Sequence, residues 1–147
     1  MGKMALKDKR VGIVAGNFDI IHMGYVYMFK ECSENCEHLI VFLHDDPSIE
    51  REHKLKPIHS INERINLLSC IKHVNEIVPY STEKELYALI SSRKIDVRFL
   101  GDDYKNKDFI GKDLNIPIHY LDRSHGWSTT KFKEILVNKS LSSLSTS

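Results

Sequence analysis

Short, uninterrupted apolar runs separated by helix-length segments limit this chain to very few architectures. Residues 11–15 (VGIVA) and 39–43 (LIVFL) lack polar alternation, so each reads as a strand buried on both faces. Residues 97–100 (VRFL) and 116–121 (IPIHYL) read as later strands. Between them, residues 23–31 carry helical spacing. Ser60 with Glu63 forms a capping-box pattern that opens a helix running through Cys70. Thr82 with Glu85 repeats that signature ahead of the apolar stripe Leu86, Leu89 and Ile90, and a last helix is expected over residues 129–137. Strands alternating with helices imply βαβ units, right-handed crossovers and a mostly parallel sheet. The expected fold class is therefore α/β, a single Rossmann-like three-layer domain with a mostly parallel sheet.

A chain of 147 residues suits one domain, expected over residues 9–137, and the Ser-rich tail at 138–147 is expected to lack structure. A formal net charge of +1 exerts no global pull on nucleic acid or anionic lipid, so any anion site must be local. No basic stripe with interleaved aromatics is present, which argues against nucleic-acid binding. No apolar run approaches the ~18 residues that would span a membrane. Residues 1–10 carry Lys3, Lys7, Lys9 and Arg10 without an apolar stretch, unlike a signal peptide. Cys32, Cys36 and Cys70 make an odd count without zinc-ligand spacing, read here as reduced thiols of a cytoplasmic protein.

In a parallel α/β sheet, ligands bind beyond the carboxyl ends of the strands, where loops lead into helices. The first such loop holds Gly16, Asn17, Phe18, Asp19, His22 and Gly24 and ends at a helix start. Free N–H groups and the positive dipole end make such a start a phosphate site. Gly16 would permit a sharp turn and Gly24 a close approach to the helix. His22 beside them can donate to a phosphate oxygen. The last loop, from Arg123 to Thr130, opens the final helix. Ser128 or Thr129 can cap that helix, and Arg123 can hold phosphate oxygens in a two-pronged grip. Neither loop is a G-x-G-x-x-G fingerprint or a P-loop.

The first loop resembles the G-x-F-D-x-x-H-x-G-H signature of the cytidylyltransferase family, matched at Gly16, Phe18, Asp19, His22 and Gly24. Tyr25 stands where that family has its second histidine. The last loop resembles the family's R-x-x-G-x-S-T-T element at Arg123, Gly126, Ser128, Thr129 and Thr130. The resemblance is nearest to the glycerol-3-phosphate branch. It implies that both loops, with Asn17, bind the nucleotide. Gly101, Asp102 and Asp103, followed by Tyr104, resemble the family's G-D-D-[WY], which lies over the nucleotide. Lys54 with Pro57 matches the K-x-x-P that carries a catalytic lysine, with Lys56 as its stand-in or as a contact to the acceptor. Glu63 and Arg64 resemble a pair whose arginine contacts the phosphorylated acceptor.

The implied reaction is transfer of CMP from CTP to a small phosphorylated alcohol, glycerol 3-phosphate by preference, with release of pyrophosphate. His22, Lys54 and Tyr25 would be catalytic, and Mg²⁺ would be held mainly by the CTP phosphates, with no protein ligands assigned. The family also implies a homodimer. A tyrosine hydroxyl can donate one hydrogen bond but carries no positive charge at neutral pH. Two alternatives stay open on these residues: an adenylyltransferase acting on a sugar phosphate or cofactor precursor, and a non-catalytic nucleotide-binding descendant.

Overall fold

The structure is a computed structural model that describes residues 5–145. Lys3 and the last two residues of the Ser-rich tail lie outside the described residues. Five strands, β1 (Val11–Gly16), β2 (His38–His44), β3 (Glu76–Tyr80), β4 (Val97–Gly101) and β5 (Ile118–Leu121), form one sheet. Its order is β3-β2-β1-β4-β5 and every neighbouring pair is parallel. The chain builds outward from β1 to β3, then returns to β4 on the other side of β1. The loops after β1 and β4 diverge there and leave a crevice at their carboxyl ends.

Four helices cover the sheet: α1 (Met23–Asn35), α2 (Ile61–Ser69), α3 (Glu83–Ser91) and α4 (Thr129–Ser145). Phe29 and Cys32 of α1 and Leu68 of α2 pack on one face with Leu39, Val41, Leu43, Val97, Phe99 and Leu121. Leu86 and Ile90 of α3 pack on the other with Ile13, Ile40 and Phe42. Residues 39, 41 and 43 of β2 thus face one layer while 40 and 42 face the other, as strand alternation requires. The expected three-layer α/β fold is what forms.

Strand β3, which carries Pro79, is an addition to the expected strands. A proline is tolerated there because β3 is an edge strand, with one row of N–H groups facing no neighbour. The capping box of α2 forms in full: Ser60 Oγ accepts from Glu63 N–H at 3.1 Å, and Glu63 accepts from Ser60 N–H at 3.0 Å. At α3 the first arm forms, Thr82 accepting from Glu85 N–H at 3.1 Å. Glu85 reaches back instead to the N–H of Ser81, one residue earlier than the pattern implies.

Helix α4 corrects the expected boundary at Val137. It continues to Ser145, with the side chains of residues 136–144 exposed. Extending a helix that tertiary contacts have already nucleated costs far less than starting one, so a Ser-rich run can follow an anchored first turn. Among the described residues, no helix is long and apolar enough to cross a membrane.

Candidate functional site

The first and last loops meet at one hydroxyl. His22 is the N-cap of α1, where its ring Nδ1 accepts from the N–H of Gly24 at 3.1 Å. The neutral ring therefore carries its proton on Nε2. Nε2 lies 3.3 Å from Oγ1 of Thr129, the first residue of α4, and the hydroxyl of Tyr25 lies 3.2 Å from the same oxygen. The N-termini of α1 and α4 thus converge on one space, each bringing its positive dipole end.

Close approach explains Gly24. A Cβ there would lie 2.8 Å from the His22 ring and 2.9 Å from Cβ of Trp127. The imidazole also stacks against Phe132 at 5.7 Å and Trp127 at 6.4 Å. These aromatic neighbours, which sequence motifs did not single out, leave His22 only 8% exposed. Burial first, then the positive charges of His125 and Arg123, lower its pKa below the usual histidine value.

The turn after β1 is made differently from the expectation. Gly16 does not take a left-handed conformation; that falls to Phe18, with φ of 45°. Such a φ is strained for a bulky residue and persists only where the surroundings enforce it. The Phe18 ring supplies that enforcement, packing in the core against Tyr25 at 5.4 Å and Phe29 at 5.7 Å. Gly16 matters for space instead, since a Cβ there would sit 3.3 Å from the Phe18 ring.

Asp19, buried at 7% exposure, accepts from the N–H groups of Ile58 at 2.7 Å and His59 at 2.9 Å. It is therefore occupied in tying the first loop to the segment ahead of α2. Arg64 departs from its expected contact with the acceptor. It is 1% exposed, and its guanidinium donates to the carbonyls of His59, Asn17, His44 and Asp45. Four of its five donors are spent on backbone, so Arg64 staples the loops after β1 and β2 to α2. The spacing of the E-R pair could not distinguish these outcomes.

The G-D-D loop and the last loop also join. Arg123 Nη1 lies 3.4 Å from Asp103 Oδ1. A Cβ on Gly101 would meet the Asp103 carboxylate at 2.5 Å and the Arg123 guanidinium at 3.2 Å, so a larger residue would push this exposed pair aside. Asp102 and Asp103 open a short exposed 3-10 turn. Gly126 takes a φ of 76°, which favours glycine, and sets up Ser128 as the cap: its Oγ accepts from Lys131 N–H at 3.1 Å. Thr130 is exposed in the first turn of α4.

Lys54 and Lys56 ride on the exposed stretch just before the Asp19 anchor, without ion-pair partners or contacts to the His22–Thr129 cradle among the described residues. Among the described residues, no group of three or more His, Cys, Asp or Glu side chains gathers to hold a metal.

A doubly wound sheet with two helix N-termini meeting at its switch point defines a nucleotide-binding α/β domain. The cytidylyltransferase-like family model matches residues 13–141. The chain belongs to that family. It is 33% identical over 123 residues to the glycerol-3-phosphate cytidylyltransferase of Bacillus subtilis, a match covering 83% of this chain and 93% of that protein. It is 31% identical over 134 residues to the bifunctional protein HldE of Campylobacter jejuni subsp. doylei. That match takes in 90% of this chain but 29% of the relative, so the chain spans under a third of HldE's length. Among solved structures, a lipopolysaccharide core biosynthesis protein from Thermoplasma volcanium shares the fold, with a TM-score of 0.60 and 24% identity. The likeness covers 76% of this chain and 93% of that one.

Proposed function

We propose that the chain transfers CMP from CTP to a small phosphorylated alcohol, glycerol 3-phosphate first among them. The observation that carries the reading is the meeting of His22 and Tyr25 at the Thr129 hydroxyl, which puts two phosphate-seeking helix starts in one place. An oxygen of the acceptor's phosphate attacks the α-phosphorus of CTP in line, and the bond to the bridging oxygen breaks as pyrophosphate leaves. A phosphate monoester is already largely ionised at neutral pH, so no side-chain nucleophile is needed. The protein's task is positioning and charge stabilisation.

His22 enters this reaction as a neutral Nε2–H donor, exchanging Thr129 for a phosphoryl oxygen. Tyr25 supplies a second donor in place of the family's second histidine. Arg123, the α4 N–H groups and the hydroxyls of Ser128, Thr129 and Thr130 hold the phosphates, while the loop at Gly101, Asp102 and Asp103 lies against the nucleoside. Lys54 closes over the leaving group, and Lys56, in place of the stapled Arg64, meets the acceptor. Mg²⁺, held chiefly by triphosphate oxygens, would neutralise their charge.

A cytoplasmic homodimer completes the reading. In its support, α4 leaves Val137, Leu141 and Leu144 exposed at i, i+4 and i+7 spacing. Light scattering on the eluted protein checks the dimer. The activity is tested by incubating the protein with CTP, Mg²⁺ and a panel of phospho-alcohols, following pyrophosphate and product mass. CDP-glycerol is the expected product. A protein that binds CTP yet releases no pyrophosphate with any acceptor would sink the proposal.

A further inference from the structure

We infer that the cavity beneath the loop joining β4 to β5 is a second anion site, built to take the phosphate group of a small phosphate ester. It is separate from the His22–Thr129 cradle. Val97 and Phe99 of β4 point into the α1–α2 core, so Arg98 between them points to the opposite face. Its register neighbour Ile13 packs on that face with α3. The cavity measures ≈ 290 Å³, and its walls include Arg98, Lys105, Lys107 and Lys112 but no acidic side chain.

Arg98 is the reason to expect a ligand. It is 4% exposed and has no carboxylate within ion-pair range among the described residues. Its Nη1 donates to the carbonyl of Ile110, and its guanidinium lies 4.9 Å from the centre of the Phe109 ring. Neither contact cancels the charge, and burying an uncompensated guanidinium is costly. Desolvation accordingly pulls its pKa down to about 10.

Of the lysines around it, one is fixed by an aromatic face and one is ion-paired. The Lys105 ammonium sits 5.4 Å from the Tyr120 ring centre, and Lys112 reaches the exposed Asp108 at 3.1 Å. Aromatic faces that fix cations in place reduce the ordering cost of binding. A fork-shaped guanidinium beside the Lys105 and Lys107 ammonium groups suits a doubly charged phosphate better than a single carboxylate. Tyr104, which also lines the cavity, follows directly on Asp103, so the site is continuous with the loop that bonds Arg123.

The test is an amide-resolved NMR titration of the full chain, one arm with inorganic phosphate and one with glycerol 3-phosphate. The amides of Phe109, Gly111 and Asn115 should shift saturably, on a curve distinct from that of Gly24 and Thr129. A tighter fit for the ester than for free phosphate would identify the ester as the ligand. The exposed pair Lys105→Ala/Lys107→Ala should weaken the first curve about tenfold or more and leave the second in place. Arg98→Leu should do the same if its melting profile shows a folded protein; if it does not fold, the lysine pair decides. Shifts at Phe109, Gly111 and Asn115 that are absent, fail to saturate, or match in wild type and the lysine pair overturn the site. Pyrophosphate release is measured on the same samples. A chain inert in CMP transfer that still saturates here keeps this site, and an active chain that does not saturate loses it.

Discussion

His22 combines two constraints that rarely coincide. The Gly24 N–H holds its ring in the Nε2–H form, and burial keeps that form neutral. Replacing it with alanine should reduce pyrophosphate release on the order of 10²-fold or more, the usual cost of losing one preorganised donor. Tyr25→Phe retains the ring contacts to Phe18 and His22 and removes only the hydroxyl. A smaller loss of about tenfold is expected, read as kcat at saturating CTP, because a neutral donor at one remove from the cap is withdrawn. A Tyr25→Phe variant as active as wild type would show that the hydroxyl has no part in transfer.

The lowered pKa of His22 also sets a pH dependence. The unfolded ring, titrating near 6.5, binds its proton at a higher pH than the folded one. Stability from this group is full above about pH 6.5 and is lost as the pH falls below it. Melting temperatures taken from about pH 8 down to pH 5 should decline on the acid side. The decline should be shallower in His22→Gln, which has nothing to titrate there.

Between elements, the site depends on two buried groups whose work is structural. Arg64 draws together the loops after β1 and β2 and the start of α2, while Asp19 fastens the same loop to Ile58 and His59. Arg64→Ala strands several buried carbonyls and should cost about 3 kcal/mol or more in urea denaturation. Lys56→Ala, on an exposed stretch, should leave the midpoint unchanged and raise KM for the acceptor. If Arg64→Ala were instead fully stable with only a raised KM, the staple would be disproved. Ser60→Ala, which removes the hydroxyl that caps the Glu63 N–H and leaves the backbone arm of the α2 capping box, should cost about 1 kcal/mol.

These elements also mark how far the residues could be read in advance. Local signals carried through: the α2 cap, the buried β2 and the start of α4 depend on neighbours a few residues apart. Strand β3 did not, because Pro79 is acceptable only at a sheet edge, and edge position is set by long-range pairing. Arg64 could be placed in a motif but not assigned a role, since exposure and burial give an arginine the same sequence neighbours.

Across the whole molecule, strand order is what assembles the site. With β1 and β4 adjacent, the loops bearing His22 and Asp103 open on one crevice, and β5 beside them delivers Arg123 and α4. A ligand gripping all of these should stabilise the native state. At about 100-fold over Kd, CTP should add about 2.7 kcal/mol, several degrees of melting temperature in a chain of this size. ATP at the same concentration should shift it less; an equal or larger shift would move the nucleotide preference to adenine.

The fold class, the phosphate-seeking character of the two terminal loops and the family were written in residues close together along the chain. Strand periodicity, caps and the paired motifs act over a few positions, so they need no partner elsewhere to be recognised. The meeting of His22 and Tyr25 at Thr129, more than a hundred residues on, came only with the folded sheet. So did the burial of Arg64 and Arg98 and the left-handed backbone of Phe18. Each of these is a matter of what surrounds a group in space, and burial, charge compensation and strain have no local code.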